Sequence, residues 1–419
     1  MIEVRASAKR QPLGMTPARF LREYWQRKPL LVRGAFHRFA DPLTPNDLAG
    51  LACEPASLSR LVVHDASRDR WDLRSGPFES ADFARLPARD WTVLVQDVDK
   101  WDGDVAALLD RFAFLPSWRI DDVMVSYAVD GGSVGAHIDH YDVFLLQGLG
   151  RRRWRISTDP GASMATREDA EIKLLRDFGP THEWTLDAGD MLYLPPGVPH
   201  HGVAIGECMT YSIGMRAPSY AELLGDFADT LAAEIPEELR FGDAGLSPAR
   251  GDGEIDEAAF ARVAEAMPWL KVSRQRDVQR SGKNHEKNVG KIDGCSGEVD
   301  ASMLRTWFCS FVTRYRSALA AEPRSRAMSD GEFARALASG ARAVRLPWSR
   351  AAWYRDGRNA QLFVAGCAFA CSIALARQVA GRAPFALATN LAARDRDVLR
   401  RLVDLGHVSL STPRRRSRR

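Results

Sequence analysis

The chain of 419 residues is 45% hydrophobic and 27% charged, an ordinary globular composition too long for one small core, so two or three domains are expected. Its net charge is +4, but five arginines fall in the last six residues (Arg414, Arg415, Arg416, Arg418, Arg419). Without them the body stands at −1, so bulk charge gives no argument for nucleic-acid binding. Six scattered cysteines (Cys53, Cys208, Cys295, Cys309, Cys367, Cys371) fit neither a disulfide framework nor a zinc site, and Cys367 and Cys371, in an apolar run, read as buried thiols. The opening MIEVRASAKRQPLGM lacks the apolar centre of a signal peptide. The longest apolar run, Leu362 to Ala376, has 15 residues, short of the ~20 a spanning helix needs. A reduced, cytoplasmic setting without membrane contact is the expectation.

In chain order, Thr16 caps a predicted helix carrying Phe20, Leu21, Tyr24 and Trp25 at helical spacing. Pro29 ends it, Leu30 to Val32 reads as a strand, and Thr44 caps a second helix. Short strands and turns alternate over 60–100, and 102–115 looks helical. From Trp118 to about Met215 many short β-rich segments are punctuated by Gly, Pro or Asp, the pattern of a barrel or jelly roll rather than a parallel α/β sheet. Helical patterns follow to about Ala321, interrupted at 272–299 by a polar, aperiodic, glycine-rich stretch that reads as a flexible insertion. Beyond a linker near AEPRSRAMSDG, short helices and strands suggest a small helix-plus-wing unit with a hairpin turn at Ala365-Gly366; PRRRSRR closes the chain as a basic tail.

The chemistry concentrates in Asp130 to Ile156, DGGSVGAHIDHYDVFLLQGLGRRRWRI, which reads as strand, turn, strand. On a strand, His137 and Asp139 leave the same face. A distal His200, ending PPGVPH, is fixed in place by two prolines and a glycine. Two histidines and one carboxylate on one side of an octahedral ion are the ligand set of non-haem Fe(II) oxygenases, with positions left for substrate and O2. His140 and His201 adjoin these ligands but face away by alternation. In RRRWRI, Arg152 shares the inward face with Trp154 and Ile156, while Arg151, Arg153 and Arg155 share the outer, solvated one. A buried guanidinium with no acidic neighbour on its face wants a ligand carboxylate. That placement suits 2-oxoglutarate, which chelates metal at one end and offers a carboxylate at the other. Ser126 and Thr210 are candidate hydroxyls at the same carboxylate.

The blocks LREYWQRKPLLVRGAF, FADPLTPNDLAGLA, LPSWRIDDVMVSY, the HxD segment with YDVF and QGxGRRRWR, and GDMLYLPPGVPHHG followed by YSIGMRAPS resemble the JmjC-type ribosomal oxygenases. The likeness lies within the bacterial branch that hydroxylates an arginine of a large-subunit ribosomal protein, and is dense over 15–220. It implies an α+β protein: a double-stranded β-helix (a JmjC, cupin-like jelly roll) over 1–217, a helical dimerisation region over 218–325, and a winged-helix-like unit with basic tail over 326–419. It further implies Fe(II) on His137, Asp139 and His200, 2-oxoglutarate on Arg152, a ribosomal protein as partner and a homodimer. For an arginyl substrate, Asp130 at the site mouth is a candidate guanidinium partner and Tyr141 a flanking ring.

Competing readings keep the cofactors but change the target, to histidine or N-methyl-lysine; no clear cage for a methylammonium is visible in the sequence. A reading of another class is a non-catalytic cupin-like ligand sensor that binds DNA through the C-terminal unit. Direct nucleic-acid contact is left open by the near-neutral body.

Overall fold

Alternating apolar residues build two facing sheets in the N-terminal half of the protein, seen in a computed structural model that describes residues 2–238, 301–314, 321–388 and 390–411, with a few isolated positions between 240 and 262. The insertion at 272–299 and the PRRRSRR tail lie outside the described residues.

The strands of this half are β1 (Glu3–Arg5), β2 (Leu30–Arg33), β3 (Ser59–Asp65), β4 (Arg70–Ser75), β5 (Trp91–Val95), β6 (Ile120–Ala128), β7 (Val143–Gln147), β8 (Arg151–Ile156), β9 (His182–Leu186), β10 (Met191–Leu194), β11 (His200–Ile205) and β12 (Cys208–Met215). Nine form one sheet in the order β1-β2-β10-β7-β12-β6-β5-β3-β4, and β11-β8-β9 form the other. This is the double-stranded β-helix expected from the sequence.

Each strand of the large sheet divides its residues by parity. Val123, Val125, Phe144, Leu146, Met191, Tyr193, Tyr211 and Ile213 face outward onto the N-terminal helices, burying Phe20, Tyr24 and Leu48 in the main core. Those helices are Pro17–Glu23, capped by Thr16, and Pro45–Cys53, where Thr44 and Asp47 form a reciprocal capping box. The opposite parity faces the small sheet, where Leu31, Val143, Leu145, Leu192 and Leu194 meet Trp154, Ile156 and Leu186. Among the remaining inward positions on β6, β7 and β12 are the polar residues Asp122, Ser126, Gln147, Thr210 and Ser212, which contribute to the floor of the site.

The HxD segment departs from its expected strand. Residues 129–142 run irregularly from β6 to β7, and their ladder pairing is the single bridge His137↔His200. Two glycines with left-handed backbone, Gly131 (φ 77°) and Gly135 (φ 76°), turn the chain there. Ser133 Oγ donates to Gly202 O (2.8 Å) and accepts from Gly135 N (3.0 Å), pinning the turn to β11.

By packing, 1–218 and 312–419 form one unit and 219–311 a second. In the first, helices Asp330–Ala338, Ile373–Ala380 and Ala393–Asp404 pack on β13 (Arg342–Arg345), β14 (Ala351–Asp356), β15 (Asn359–Val364), β16 (Cys367–Cys371), β17 (Phe385–Ala386) and β18 (Val408–Ser411) around Leu362, Leu375 and Leu402. Ala365 (φ 50°) and Gly366 (φ 86°) make the anticipated hairpin turn between β15 and β16. Cys371 is buried, but Cys367 is exposed, because it starts its strand at the hairpin tip, past the edge of the core. Arg350 ties this winged unit to the barrel: it donates to Ile120 O (3.3 Å) and Asp121 O (3.1 Å) and pairs with the Asp121 carboxylate. In the second unit, helix Tyr220–Ala232 meets residues of helix Ala301–Thr313 through Phe227 and Trp307, whose indole N–H donates to Asp226 (2.9 Å).

Candidate metal and cosubstrate site

Although they come from an irregular segment and from the start of β11, His137, Asp139 and His200 converge: one ligand atom from each lies within 4.8 Å of the others. Asp139 Oδ2 is 3.6 Å from His200 Nε2 and 4.0 Å from His137 Nε2. Both imidazoles are oriented from behind. His137 Nδ1 lies 3.0 Å from Gly135 O, and His200 Nδ1 2.9 Å from Val198 O. A carbonyl only accepts, so each Nδ1 carries the proton and each Nε2 presents a lone pair to the common centre. His200 is held neutral, its pKa well below the usual value through burial and the neighbouring His137. Two imidazoles and one carboxylate on a single side form a donor set that fits a divalent transition metal with open positions opposite.

The neighbours His201 and His140 face away. His201 Nδ1 accepts from Arg155 Nη2 at 2.9 Å on the outer face of the small sheet, and His140 is exposed.

Arg152 points inward as its parity requires and is 6% exposed. Its Nη1 lies 3.3 Å from both Ser126 Oγ and Thr210 Oγ1, so the three residues named from sequence do meet. Thr210 passes its own proton to Gln147 Oε1 (3.3 Å), while Gln147 Nε2 donates to Leu149 O (2.9 Å) and Met209 O (3.0 Å). With that proton committed, Thr210 turns a lone pair toward the guanidinium. Among the described residues no carboxylate pairs with Arg152, and its buried Nε has no partner. A desolvated guanidinium so left fits a carboxylate supplied by a ligand.

The two substrate candidates fare differently. Asp130 is taken: Oδ1 accepts from Gly206 N (2.9 Å) and Oδ2 pairs with Arg89 Nη2 (3.1 Å). Both contacts serve the turn. Tyr141 stays at the site, 41% exposed, and its hydroxyl is held above its ordinary pKa by burial and by the nearby Asp139 carboxylate.

Three residues were not singled out from sequence. Counting back in twos from Ser126 along β6 brings Met124 and Asp122 onto the same inner face, and Ser212 of β12 sits directly across from Met124. Asp122 Oδ2 accepts from Asp97 N (3.1 Å), and Oδ1 lies 3.1 Å from where a Cβ on Gly214 would stand. Burial, with Asp97, Asp99 and Asp121 nearby and only Lys100 opposing, pushes the Asp122 carboxyl up to about 7. It also acts electrostatically on Tyr141, which places it toward the ligand triad.

A double-stranded β-helix with a two-histidine, one-carboxylate centre and an inward arginine on the opposite sheet defines the class of 2-oxoglutarate oxygenase folds. The comparisons with known proteins agree. Residues 107–223 match the JmjC domain family, and 299–411 match the ROXA-like winged helix. The chain is 39% identical over 251 residues to the ribosomal protein uL16 3-hydroxylase of Escherichia coli, covering 59% of this chain and 65% of that one. It is 38% identical to a probable ribosomal oxygenase of Haemophilus influenzae, over 54% and 56% of the two lengths. The matched segments thus span somewhat under two thirds of these relatives. The solved structure of YcfD, a ribosomal oxygenase from E. coli, in complex with cobalt and 2-oxoglutarate, superposes with a TM-score of 0.71 at 31% identity, covering 95% of this chain and 99% of that one. The chain belongs to the JmjC-domain ribosomal oxygenase family.

Proposed function

We propose that this protein is an Fe(II)- and 2-oxoglutarate-dependent hydroxylase of a large-subunit ribosomal protein, acting at an arginine side chain. The observation that carries the reading is the pairing of a convergent His137–Asp139–His200 triad with a buried Arg152 that has no carboxylate partner among the described residues. The name of the E. coli relative, a uL16 3-hydroxylase, supports the substrate class.

Iron with bound 2-oxoglutarate and oxygen supplies the chemistry that converts an unactivated C–H into C–OH. The chain's own residues hold and orient. His137, Asp139 and His200 take one side of the metal, and Arg152 with Ser126 and Thr210 receives the distal carboxylate of the cosubstrate. Asp122, rather than Asp130, receives the substrate guanidinium, with Tyr141 and Met124 flanking the aliphatic stem and Ser212 adding a hydroxyl. A buried carboxylate at this position favours a permanent cation over a neutral imidazole, which selects arginine over histidine.

The assignment of Asp122 makes a pH-dependent prediction. Its carboxyl ionises near 7 in the free protein, so the charged form that pairs with guanidinium is lost as pH falls from 8 to 6. KM for an arginine-bearing ribosomal peptide is expected to rise over that interval. Asp122→Asn is expected to lower kcat/KM by about 10- to 100-fold at pH 8, the worth of a charge-assisted bond in a desolvated site, and to flatten the KM profile. Mass spectrometry of the peptide for one added oxygen gives both quantities. A wild-type KM in the variant sinks the assignment.

Tyr220 is 91% and Leu224 71% exposed, one turn apart on a single helix. This apolar stripe supports a homodimer through the helical region. Sedimentation analysis of Tyr220→Glu/Leu224→Glu is expected to find monomer where wild type is dimer; a monomeric wild type ends the proposal. No described helix is long and apolar enough to cross a membrane, and a ribosomal-protein substrate supports a cytoplasmic reaction.

A further inference from the structure

We propose a second ligand site, for the phosphate group of a small phosphomonoester, in the cleft between the barrel and the winged unit. The cleft has a volume of about 390 Å3 and is walled by Lys100, Asp110 and Trp118 on one side and Arg345, Arg350 and Arg382 on the other. That volume lies in the usual small-molecule range. Arg152 is on β8 and does not line it.

Three guanidiniums from two stretches of the winged unit share this wall. Arg350 has a carboxylate, Asp121. Arg345 is held by neutral carbonyls alone: Nε donates to Val379 O (2.9 Å), Nη2 to Ala380 O (3.5 Å) and Nη1 to Ser349 O. These bonds use three of its five N–H groups. Arg382 makes no hydrogen bond or ion pair among the described residues. It faces Asp99 and Asp110 only at longer range, and Asp99 is already committed to Lys100 (2.6 Å) and Val123 N (2.8 Å). Burial and mutual repulsion with Arg382 and Arg350 press the Arg345 guanidinium down to about 10, and burial lowers Arg382 as well.

Keeping two such half-buried cations side by side is costly unless an anion sits between them. Once Lys100 is paired with Asp99 and Arg350 with Asp121, the winged wall carries two positive charges against the exposed Asp110 alone. A tetrahedral dianion satisfies both guanidiniums at once, with Arg382 as a free fork and Arg345 giving its spare N–H groups. Trp118, Pro347 and Pro384 offer apolar surface to the organic part of the ligand. The cleft has room for one mononucleotide, which favours a small phosphomonoester over a nucleic-acid backbone.

The test uses the full chain loaded with Mn(II) and saturating 2-oxoglutarate, so that Arg152 is occupied, at fixed ionic strength. Inorganic phosphate, 5′-AMP and a short RNA without terminal phosphate are titrated by calorimetry. Saturable one-to-one binding of phosphate and of AMP is expected, with AMP the tighter. Arg382→Gln is expected to weaken both by about tenfold or more, the loss of a charge-assisted bond, and Asp110→Asn to tighten both. No saturable heat from either up to about 10 mM, which means Kd above the millimolar range, overturns the site. So does wild-type affinity in Arg382→Gln, with circular dichroism confirming that the variant is folded. Binding of the RNA alone, with the same Arg382 dependence, also overturns the phosphomonoester assignment. Asp110→Asn sits on the exposed wall, so its tightening remains readable if Arg382→Gln does not fold.

Discussion

Asp139→Ala is expected to abolish hydroxylation while leaving the fold intact. Asp139 gives the triad its only negative charge, and one of its oxygens is shared between His200 at 3.6 Å and His137 at 4.0 Å. Loss of a partner behind a metal ligand costs ~10- to 100-fold in affinity or activity, so loss of the charged ligand itself is expected to exceed that, on the order of 10³-fold. Peptide hydroxylation and succinate release should fall together, and Fe(II) or Mn(II) should bind far more weakly. Stability should behave oppositely. In the metal-free protein, burial raises the Asp139 carboxyl above its unfolded value, more than His137 pulls it back. A carboxyl raised on folding costs stability as pH climbs past its folded pKa, so its removal does not destabilise the apo protein at pH 8. A metal-free variant that melts several degrees below wild type would make the lost activity a folding defect, and a variant that still turns over would remove Asp139 from the centre.

That the triad was legible from sequence rests on local chemistry. His137 and Asp139 are two apart after a glycine turn, and His200 ends a proline-fixed turn; each signal lies within a dozen residues. Arg152 was legible because strand parity sorts RRRWRI into one face that packs and one that does not. The strand itself was misread, since glycines with left-handed backbone at 131 and 135 turn the chain out of ladder register. The partners of Asp130 were not legible because Arg89 and Gly206 lie 41 and 76 residues away. Nothing local distinguishes a carboxylate that closes a long-range turn from one that awaits a ligand. Asp122 was missed although parity reached it: two steps of two from Ser126 arrive there, but the adjacent Asp121 and Asp122 look alike until the register of β6 is known. That register is set by pairing with β12, ninety residues on. Long-range pairing decides which of two neighbouring aspartates lies on the inner face of the sheet, and a single sequence does not contain it.

Arg152→Ala is expected to raise the KM for 2-oxoglutarate by ~100-fold or more, because truncating one partner of a buried charge pair costs roughly 2–5 kcal/mol. The peptide KM should change far less, since Arg152 lies on the sheet opposite Asp122. Arg152→Lys keeps the charge but not the planar fork, so it should recover only part of the loss. Ser126→Ala and Thr210→Val, each removing a 3.3 Å contact to the guanidinium, should have smaller effects of the same sign. Gln147→Leu belongs to this series because it frees the Thr210 proton that now points away from Arg152. Melting curves separate the role in binding from one in folding. Without cosubstrate, Arg152 is a desolvated cation held by two hydroxyls, and Arg152→Met replaces it with an apolar chain of similar length, so the variant should melt at or above wild type. With 2-oxoglutarate at about 100 times its Kd, wild type should gain about 2.7 kcal/mol of stability, and Arg152→Met should gain almost none. Equal stabilisation of the two proteins by 2-oxoglutarate would move the cosubstrate carboxylate elsewhere in the barrel.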